Sequence, residues 1–402
     1  MLKENVIELA TRSTFFMYFT KNYLMIPYKS MKVISSRFAW EGILLLGALF
    51  FFGCISAPPH YLKQEETMAH ASLTPQQEIR ILTINVWSGL TYQGFFKMGE
   101  YQHNSEKRYK LLVSEIRKLS PDIIAIQEVN PLPLYAKRLA GDLNYEVIYS
   151  VALGGIRFGS FGIPTNMREG QTILVKKPWM IVDLGRKRLS GGGIATNWFS
   201  FHFREITQAL LGKVLIHDKP LYVYNVHLHE GPFKGSALET MLKRLSQEMT
   251  TEKVEEAKKG LERDIERRRV EITNLIKFVE ETLPPGMPAI ILGDFNATIE
   301  SGELEPLLAG GKWVDSFRAK NPHEEGVTWD PQHNPNYRPA ETVKDPYGTL
   351  HAYHGSHPYR IDFILVSGNI SDDHILESRV VLRPVDGFSA SDHYGVITTL
   401  KW

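Results

Sequence analysis

Short runs of β-branched and other apolar residues recur along this chain. Runs of this length and composition are typical of buried strands. They lie at Ile81–Ile84, Ile123–Ile126, Leu221–Tyr224, Ala289–Leu292, Phe363–Val366 and Tyr394–Ile397. Charged segments such as Ser105–Leu119 alternate with them and have the pattern of helices. The chain is therefore predicted to be an α/β protein.

Polar residues adjoin one end of each predicted strand. They are Asn85, Gln127-Glu128, Asn225 with His227, Asp294 with Asn296, Asp362, and Asp392-His393. A single Asp or His at a strand end is usually a turn residue. Polar groups are costly to bury without partners, so a set of this kind indicates a site with a shared cation and a hydrogen-bond network.

These motifs, in this order over roughly residues 79–402, resemble the endonuclease/exonuclease/phosphatase superfamily. It includes deoxyribonuclease I, exonuclease III, inositol polyphosphate 5-phosphatases and neutral sphingomyelinases. The resemblance implies a four-layer α/β sandwich, in which two packed, mostly antiparallel β-sheets are flanked by helices. It also implies hydrolysis of a phosphoester with a divalent cation.

The implied cation is Mg²⁺, with Mn²⁺ as an alternative. Magnesium prefers oxygen ligands, binds one or two protein carboxylates and keeps several waters. By resemblance, Glu128 is the principal metal ligand and Asn85 lies close to it. Asp392 either joins the metal site or supports the neighbouring hydrogen-bond network.

The implied catalytic residues are His227, Asp294, Asn296, Asp362 and His393. Asp294 would orient or deprotonate the attacking water, and Asn296 would help to hold it. His227 and His393 would stabilise the charge that develops on the phosphoryl oxygens, with Asp362 paired to His393. No Ser or Cys lies in a nucleophile motif, which favours direct attack by water.

The N-terminal region has the layout of a secretory signal peptide. Lys29, Lys32 and Arg37 precede the apolar run Ile43–Phe52, which is too short to span a membrane comfortably. Cys54 closes the run and is the only cysteine, so no intramolecular disulfide is possible. Its position resembles a bacterial lipoprotein cleavage site, at which the cysteine would be acylated.

Two alternatives stay open for this region. Met31 could be the true start, and residues 38–57 could instead be an uncleaved anchor helix. Both the lipoprotein and the anchor helix predict an exported, membrane-associated protein whose catalytic domain lies outside the cytoplasm. The predicted organisation is a signal peptide or anchor at 1–57, a linker at 58–78 and one catalytic domain at 79–402.

A charged helical insertion is predicted at about 233–284, before the Asp294 strand. Ile265, Ile272, Ile276 and Val279 form an apolar stripe suited to packing on a sheet. Gly260 is the predicted break between two helices.

Two other segments have alternative interpretations. His351, His354 and His357 have the spacing of a metal cluster, but a substrate-side loop is favoured. Phe199, Phe201 and Phe203 alternate with polar residues, which predicts a strand with one apolar face packed in the core. The neighbouring Trp198 and triple glycine make an exposed, lipid-touching hairpin the alternative.

Charge and composition narrow the choice of substrate. The chain has 46 basic and 45 acidic residues, whereas a dedicated DNA-binding surface usually leaves a basic excess. Abasic-site nucleases of the resembled superfamily carry an acidic residue two positions after the first Asn, where this chain has Trp87. We therefore predict a monomeric phosphodiesterase of sphingomyelinase type that favours a lipid headgroup over nucleic acid. The alternatives are an extracytoplasmic nuclease, an inositol-phosphate-type phosphatase and an inactive binding module.

Overall fold

The computed structural model describes residues 77–88, 90–92, 98–100, 105–158, 161–163, 168–202, 205–337, 345–370 and 372–402. The predictions for the signal peptide, for Cys54 and for most of the linker lie outside these residues. Contacts along the chain group Leu73–Trp402 into one compact unit. No helix among the described residues is both long enough and apolar enough to cross a membrane.

The strands of the described residues range from two to eleven residues in length. In chain order they are β1 (Glu78–Asn85), β2 (Leu90–Tyr92), β3 (Met98–Glu100), β4 (Ile123–Val129), β5 (Tyr145–Leu153), β6 (Ile156–Phe158), β7 (Phe161–Ile163), β8 (Glu169–Lys176), β9 (Met180–Ser190), β10 (Ile194–Ala195), β11 (Phe199–Phe201), β12 (Thr207–Ile216), β13 (Lys219–His227), β14 (Ala289–Asp294), β15 (Trp313–Asp315), β16 (Asp362–Ser367), β17 (Ile375–Val381) and β18 (Gly395–Lys401).

The α-helices vary widely in length. In chain order they are α1 (Ser105–Leu119), α2 (Leu134–Leu143), α3 (Ser236–Glu248), α4 (Thr251–Thr282), α5 (Glu305–Leu308), α6 (Ser316–Lys320) and α7 (Pro346–Gly355). Two short 3₁₀ helices lie at Ala309–Gly311 and Asp372–His374.

Two six-stranded sheets form the centre of the molecule. The first sheet has the order β17-β18-β1-β4-β8-β5, and the second has the order β15-β16-β14-β13-β12-β9. Within each sheet one pair is parallel, β1 with β4 and β13 with β14, and the other pairs are antiparallel. Helical segments connect the two strands of each parallel pair, as parallel pairing requires.

Three apolar clusters separate the layers of the sandwich. One lies between the sheets and includes Ile81, Ile123, Val223 and Ile290. A second packs the first sheet against α1 and α2, and a third packs the second sheet against α4. The predicted four-layer α/β sandwich with mostly antiparallel sheets is therefore confirmed. Because these layers are complete within Leu73–Trp402, we expect that unit to fold on its own.

The helical insertion differs from its prediction in one respect. The break between its helices lies at Met249–Thr250, and Gly260 is inside α4. Gly260 is needed there because a Cβ atom would lie 2.2 Å from Cδ2 of Tyr347, whose ring packs against the helix. The apolar stripe faces inward as predicted, with Ile265 and Ile272 buried.

The histidine segment is helical rather than a loop. His351 and His354 lie on α7, which packs against α3 and α4 in a separate apolar cluster around Leu350. The ring of His354 packs against the rings of Phe233 and Tyr359, and burial lowers the pKa of His354 to about 3. This environment favours the neutral imidazole and explains the residue as part of the packing.

A small sheet with the order β10-β11-β6-β7 lies outside the two central sheets. The core interpretation of Phe199 and Phe201 was wrong, because Phe201 is exposed and Phe199 is only partly buried. Phe203 lies outside the described residues. The described part of this segment is an antiparallel hairpin, β10 with β11.

Candidate active site

Strand pairing brings most of the predicted site residues to one rim of the sandwich. Asn85 is paired with Gln127 in the first sheet. In the second sheet Asp294 lies between His227 and Asp362 in the strand register. The polar residues predicted at separate strand ends therefore meet where the two parallel pairs terminate.

The backbone at this rim has conformations that L-residues rarely adopt. Trp87, Glu128 and Asn296 have φ angles of 52°, 55° and 48°. Gly293 has a φ angle of 140°, and a Cβ atom there would lie 1.9 Å from the Val226 carbonyl oxygen. Such strain persists only where the surroundings enforce it, and it is common at functional sites.

Asn85 connects two carboxylates across the sheets. Its Nδ2 donates to Oε1 of Glu128 at 2.9 Å and to Oδ2 of Asp294 at 3.0 Å. Burial opposes ionisation of Glu128, but the charge of His227 and hydrogen bonds from Asn85 and from the Ser88 backbone hold its pKa below the usual value. Glu128 is therefore an anion, which suits it to bind a cation.

Asp294 is buried between two imidazoles. Its Oδ2 lies 3.7 Å from Nε2 of His227 and 3.8 Å from Nε2 of His393. Burial and the neighbouring Asp362 raise the pKa of Asp294 to about 6, although both histidines act in the opposite direction. At neutral pH Asp294 is ionised yet close to its pKa, which suits a general base.

His393 is oriented by Asp362, as the sequence predicted. Its Nδ1 and Oδ2 of Asp362 are 2.9 Å apart, and both side chains are buried. Burial alone would lower the pKa of His393, but the carboxylates of Asp362 and Asp294 outweigh it and hold that pKa well above 6.5. A protonated imidazole therefore presents Nε2 towards Asp294.

His227 has a similar electrostatic environment. Burial disfavours its charged form, yet Asp294 and Glu128 raise its pKa above 6.5. Both imidazoles therefore favour the charged form more than a free imidazole does, and they flank one carboxylate. Charged imidazoles can stabilise a developing phosphoryl charge.

The remaining predicted residues flank this group. The backbone N–H of Asn296 donates to Oδ1 of Asp294 at 2.9 Å, and its Nδ2 donates to the Leu228 carbonyl. Asp392 accepts a hydrogen bond from Ser391 Oγ, which also bonds to the Asn85 carbonyl. Burial, opposed by His393 and reinforced by Glu128, raises the pKa of Asp392 to about 7.

Oxygen donors for a hard cation are concentrated around Glu128. Burial and the charge of Glu128 raise the pKa of Glu169 to about 8, and Glu128 also raises that of Asp392. A divalent cation would relieve this mutual repulsion, and carboxylate oxygens are its preferred ligands. The carboxylates around Glu128 therefore fit a hard divalent cation.

A compact group formed by Asp294, Asp362 and His393 could also offer ligand atoms, which lie within 4.8 Å of one another. His393 uses Nδ1 to bind Asp362, however, and all three side chains are buried. This group is better explained as the hydrogen-bonded pair Asp362–His393 with Asp294 beside it than as the principal metal site.

Glu169 belongs to the site but was not among the predicted residues. The predicted residues adjoin the apolar runs already described, whereas Glu169 is the first residue of an antiparallel strand, β8, whose apolar part begins only at Ile173. Gly170 pairs with Val129, which places the start of β8 beside Glu128. A polar residue at the start of an antiparallel strand would have been the signal.

The helical insertion supports the loop that follows His227. Arg268 of α4 is fully buried, donates to the Gly231 and Pro232 carbonyls and pairs with Glu303. His229 bonds instead to Glu205 and Asp264. This places His229 beside the site, in a structural network of its own.

Asp315 has a structural role. Its carboxylate receives two hydrogen bonds from Arg360, at 3.1 and 2.7 Å, and it caps the first turn of α6.

The sequence profile of the Endonuclease/Exonuclease/phosphatase family matches residues 82–393, and this chain belongs to that family. Members of the family are hydrolases that act on phosphoesters, typically with a divalent metal. A search of curated protein sequences gives no match.

Solved structures share the fold. A selenomethionine crystal structure of TDP2 from Caenorhabditis elegans has a TM-score of 0.51 and 16% identity, covering 81% of this chain and 75% of that one. D. rerio TDP2 complexed with a single strand DNA product has a TM-score of 0.50 and 17% identity, covering 81% and 99%. An endonuclease/exonuclease/phosphatase family protein from Leptotrichia buccalis has a TM-score of 0.49 and 17% identity, covering 81% and 100%.

Proposed function

We propose that this protein is a Mg²⁺-dependent phosphodiesterase in which water attacks phosphorus directly. The observation that carries the proposal is the position of Asp294 between His227 and His393, opposite Glu128. One ionised carboxylate, two cationic donors and one metal-binding carboxylate are the groups that this hydrolysis needs.

Each residue has a distinct proposed task. Asp294 accepts the proton of the attacking water, and Asn296 helps to hold that water and the phosphate. His227 and His393 donate to the phosphoryl oxygens as negative charge develops there. Glu128 would hold the cation, assisted by Asn85, Asp392 and Glu169, and a bound cation would supply Lewis-acid stabilisation of the same charge.

The proposed substrate is a lipid phosphodiester of sphingomyelinase type. Trp87, two positions after Asn85, and the balanced total charge support this choice. An exported protein held at a membrane by its N-terminal region would meet such a substrate directly. We propose that location, and a monomeric state, on the same grounds.

A nuclease is the second candidate, and one observation favours it. Residues 154–168 and 186–204 together contain Arg157, Arg168, Arg186, Lys187, Arg188 and Arg204 but no acidic residue. A basic region of this kind would also attract a nucleic-acid backbone.

The experiment compares both substrates under one set of conditions. The full chain is incubated with Mg²⁺, and then with EDTA, on sphingomyelin vesicles and on plasmid DNA. Phosphocholine release that EDTA abolishes supports the lipid proposal. EDTA-sensitive DNA nicking with intact lipid supports the nuclease, and neither activity points to another phosphoester such as an inositol phosphate.

Two active-site variants test the assignment of residues. Glu128→Gln and His393→Ala are each expected to lower turnover by about a hundredfold or more. Glu146→Gln and His217→Ala change the same residue types at exposed positions and should retain wild-type rates. Near-normal turnover in the two active-site variants, with the fold intact, would refute the site.

A further inference from the structure

The small sheet and its adjoining turn expose five large apolar side chains. These are Ile156, Phe158, Ile194, Trp198 and Phe201, here called the aromatic patch, and Phe158 and Trp198 are the most exposed, at 61% and 58%. Their two ring centroids are 4.1 Å apart. Clustered exposed apolar groups are unfavourable in water and mark interaction surfaces.

Buried and half-buried polar contacts fix the base of this sheet. Nε2 of His202 accepts hydrogen bonds from the backbone N–H groups of Gly154 and Gly155 at 2.9 and 3.1 Å. The Asn197 side chain accepts from the Val151 N–H and donates to the Tyr149 carbonyl. The aromatic patch is therefore attached to the ordered β5 edge of the first sheet.

Strand register places the base of the small sheet at the active-site rim. β5 ends at Leu153, which pairs with Glu169, and the neighbouring Gly170 pairs with Val129 beside Glu128. On the other side, β12 begins with Thr207, and the next residue, Gln208, pairs with His227. Both segments that build the small sheet thus leave the central sheets where the catalytic side chains lie.

The same segments are basic in sequence. Residues 154–168 and 186–204 contain six Lys and Arg residues and no Asp or Glu. Two of the six, Arg186 and Lys187, pair with Asp183 and Glu281 outside these ranges. Basic residues in segments that also carry exposed aromatic rings match the chemistry of a bilayer surface with anionic headgroups. Tryptophan in particular favours the boundary between headgroups and acyl chains.

We propose that the aromatic patch, which lies beside the active site, is a docking surface that inserts into an anionic lipid bilayer. Ile156 and Ile194 favour lipid over nucleic acid, because aliphatic side chains cannot stack with bases as aromatic rings do. The N-terminal apolar run Ile43–Phe52, outside the described residues, supports the same occupant. Docking on a bilayer does not require catalysis. The expectation that docking increases the turnover of a lipid substrate rests on the proposed function.

Vesicle binding tests the docking surface directly. Leu73–Trp402 is used so that the N-terminal apolar run cannot bind, and the full chain is measured in parallel. The vesicles contain three parts phosphatidylcholine to one part phosphatidylglycerol. Phe158→Ser/Trp198→Ser should lower the affinity by at least about tenfold, since two large apolar contacts are lost. Met180→Ser/Leu376→Ser, which changes exposed apolar residues elsewhere, should bind as the wild type does.

A soluble substrate separates docking from chemistry. Hydrolysis of bis(p-nitrophenyl) phosphate by the patch variant should equal that of the wild type, while its hydrolysis of sphingomyelin added to the same vesicles falls. If the wild type hydrolyses neither substrate but still binds vesicles through the patch, the proposed function fails and the docking surface survives.

Three kinds of result would overturn the docking proposal. One is that wild-type Leu73–Trp402 fails to bind the vesicles or that the patch variant binds them equally well. Another is a dimer in sedimentation that the patch variant abolishes, which would make a second copy the occupant. The third is binding of single-stranded DNA, but not vesicles, through the patch.

Discussion

Asp362 influences both groups that are proposed to exchange or donate protons. Its negative charge contributes to the raised pKa of Asp294 and to the raised pKa of His393. Asp294 works when ionised, so activity should increase as pH rises through its pKa of about 6. His393 works when protonated, so activity should decrease as pH rises through its own, higher pKa.

Asp362→Asn is therefore expected to move both limbs of the pH–rate profile to lower pH. Removing the charge lowers the pKa of Asp294, which shifts the acid limb, and lowers that of His393, which shifts the alkaline limb. Turnover at the optimum should also fall by about a hundredfold because His393 loses its orientation. Rates measured from acid to alkaline pH on a soluble phosphodiester give both effects.

The matched control is Asp373→Asn, which removes an exposed aspartate. Its profile should coincide with that of the wild type. A reduced but unshifted profile for Asp362→Asn would mean that Asp362 orients His393 without tuning either pKa.

At the scale of elements, glycines in two helices have opposite expected effects. In α4 the ring of Tyr347 occupies the position next to Gly260, whereas a Cβ atom at Gly141 in α2 would meet nothing within 4 Å. Gly260→Ala should lower the free energy of unfolding by about 1–3 kcal/mol through overpacking. Gly141→Ala should raise it by about 0.5–1 kcal/mol, since alanine loses less backbone entropy in a helix.

Chemical denaturation of the two variants measures both changes. Tyr347→Ala/Gly260→Ala serves as the control, because removing the ring should relieve the clash that Gly260→Ala creates. If Gly260→Ala is as stable as the wild type, then Tyr347 does not constrain α4 as the structure indicates.

Helix α4 shows which features could be predicted from the sequence and which could not. Periodicity identified α1 and the buried face of α4, because a long helix repeats its apolar positions locally. It failed at Gly260, because a glycine needed for a tertiary contact looks in sequence like a glycine that ends a helix. The α7 helix was missed because its Gly, Pro and Tyr residues give little helical pattern.

The candidate site was more predictable than its surroundings. Glu128, His227, Asp294 and His393 each adjoin an apolar run, and the family resemblance alone is enough to group them. Glu169 could not be grouped in this way, since its proximity to Glu128 depends on the antiparallel register of β8. The aromatic patch could not be predicted either, because the sequence does not show which side chains of the small sheet are buried and which are exposed.

At the scale of the molecule, the site requires two sheets to meet at one rim. Asn225 of the second sheet is fully buried and bonds across to the first. Its Oδ1 accepts from Nε2 of Gln127 at 2.7 Å, and its Nδ2 donates to the Ile126 and Thr172 carbonyls. Gln127 precedes Glu128, and Asn225 lies two residues before His227. This bridge therefore sets the two halves of the site against each other.

Asn225→Leu should consequently affect stability and activity together. It leaves buried polar groups without partners at a cost of about 1–3 kcal/mol for each group, so the free energy of unfolding should fall by about 2–4 kcal/mol. Misalignment of Glu128 and His227 should lower turnover by about ten- to a hundredfold. Gln127→Leu/Asn225→Leu should be less destabilised than the sum of the single variants, because it removes both partners of one hydrogen bond. Additive losses of stability, or full activity in Asn225→Leu, would show that the sheets are aligned by their apolar interface alone.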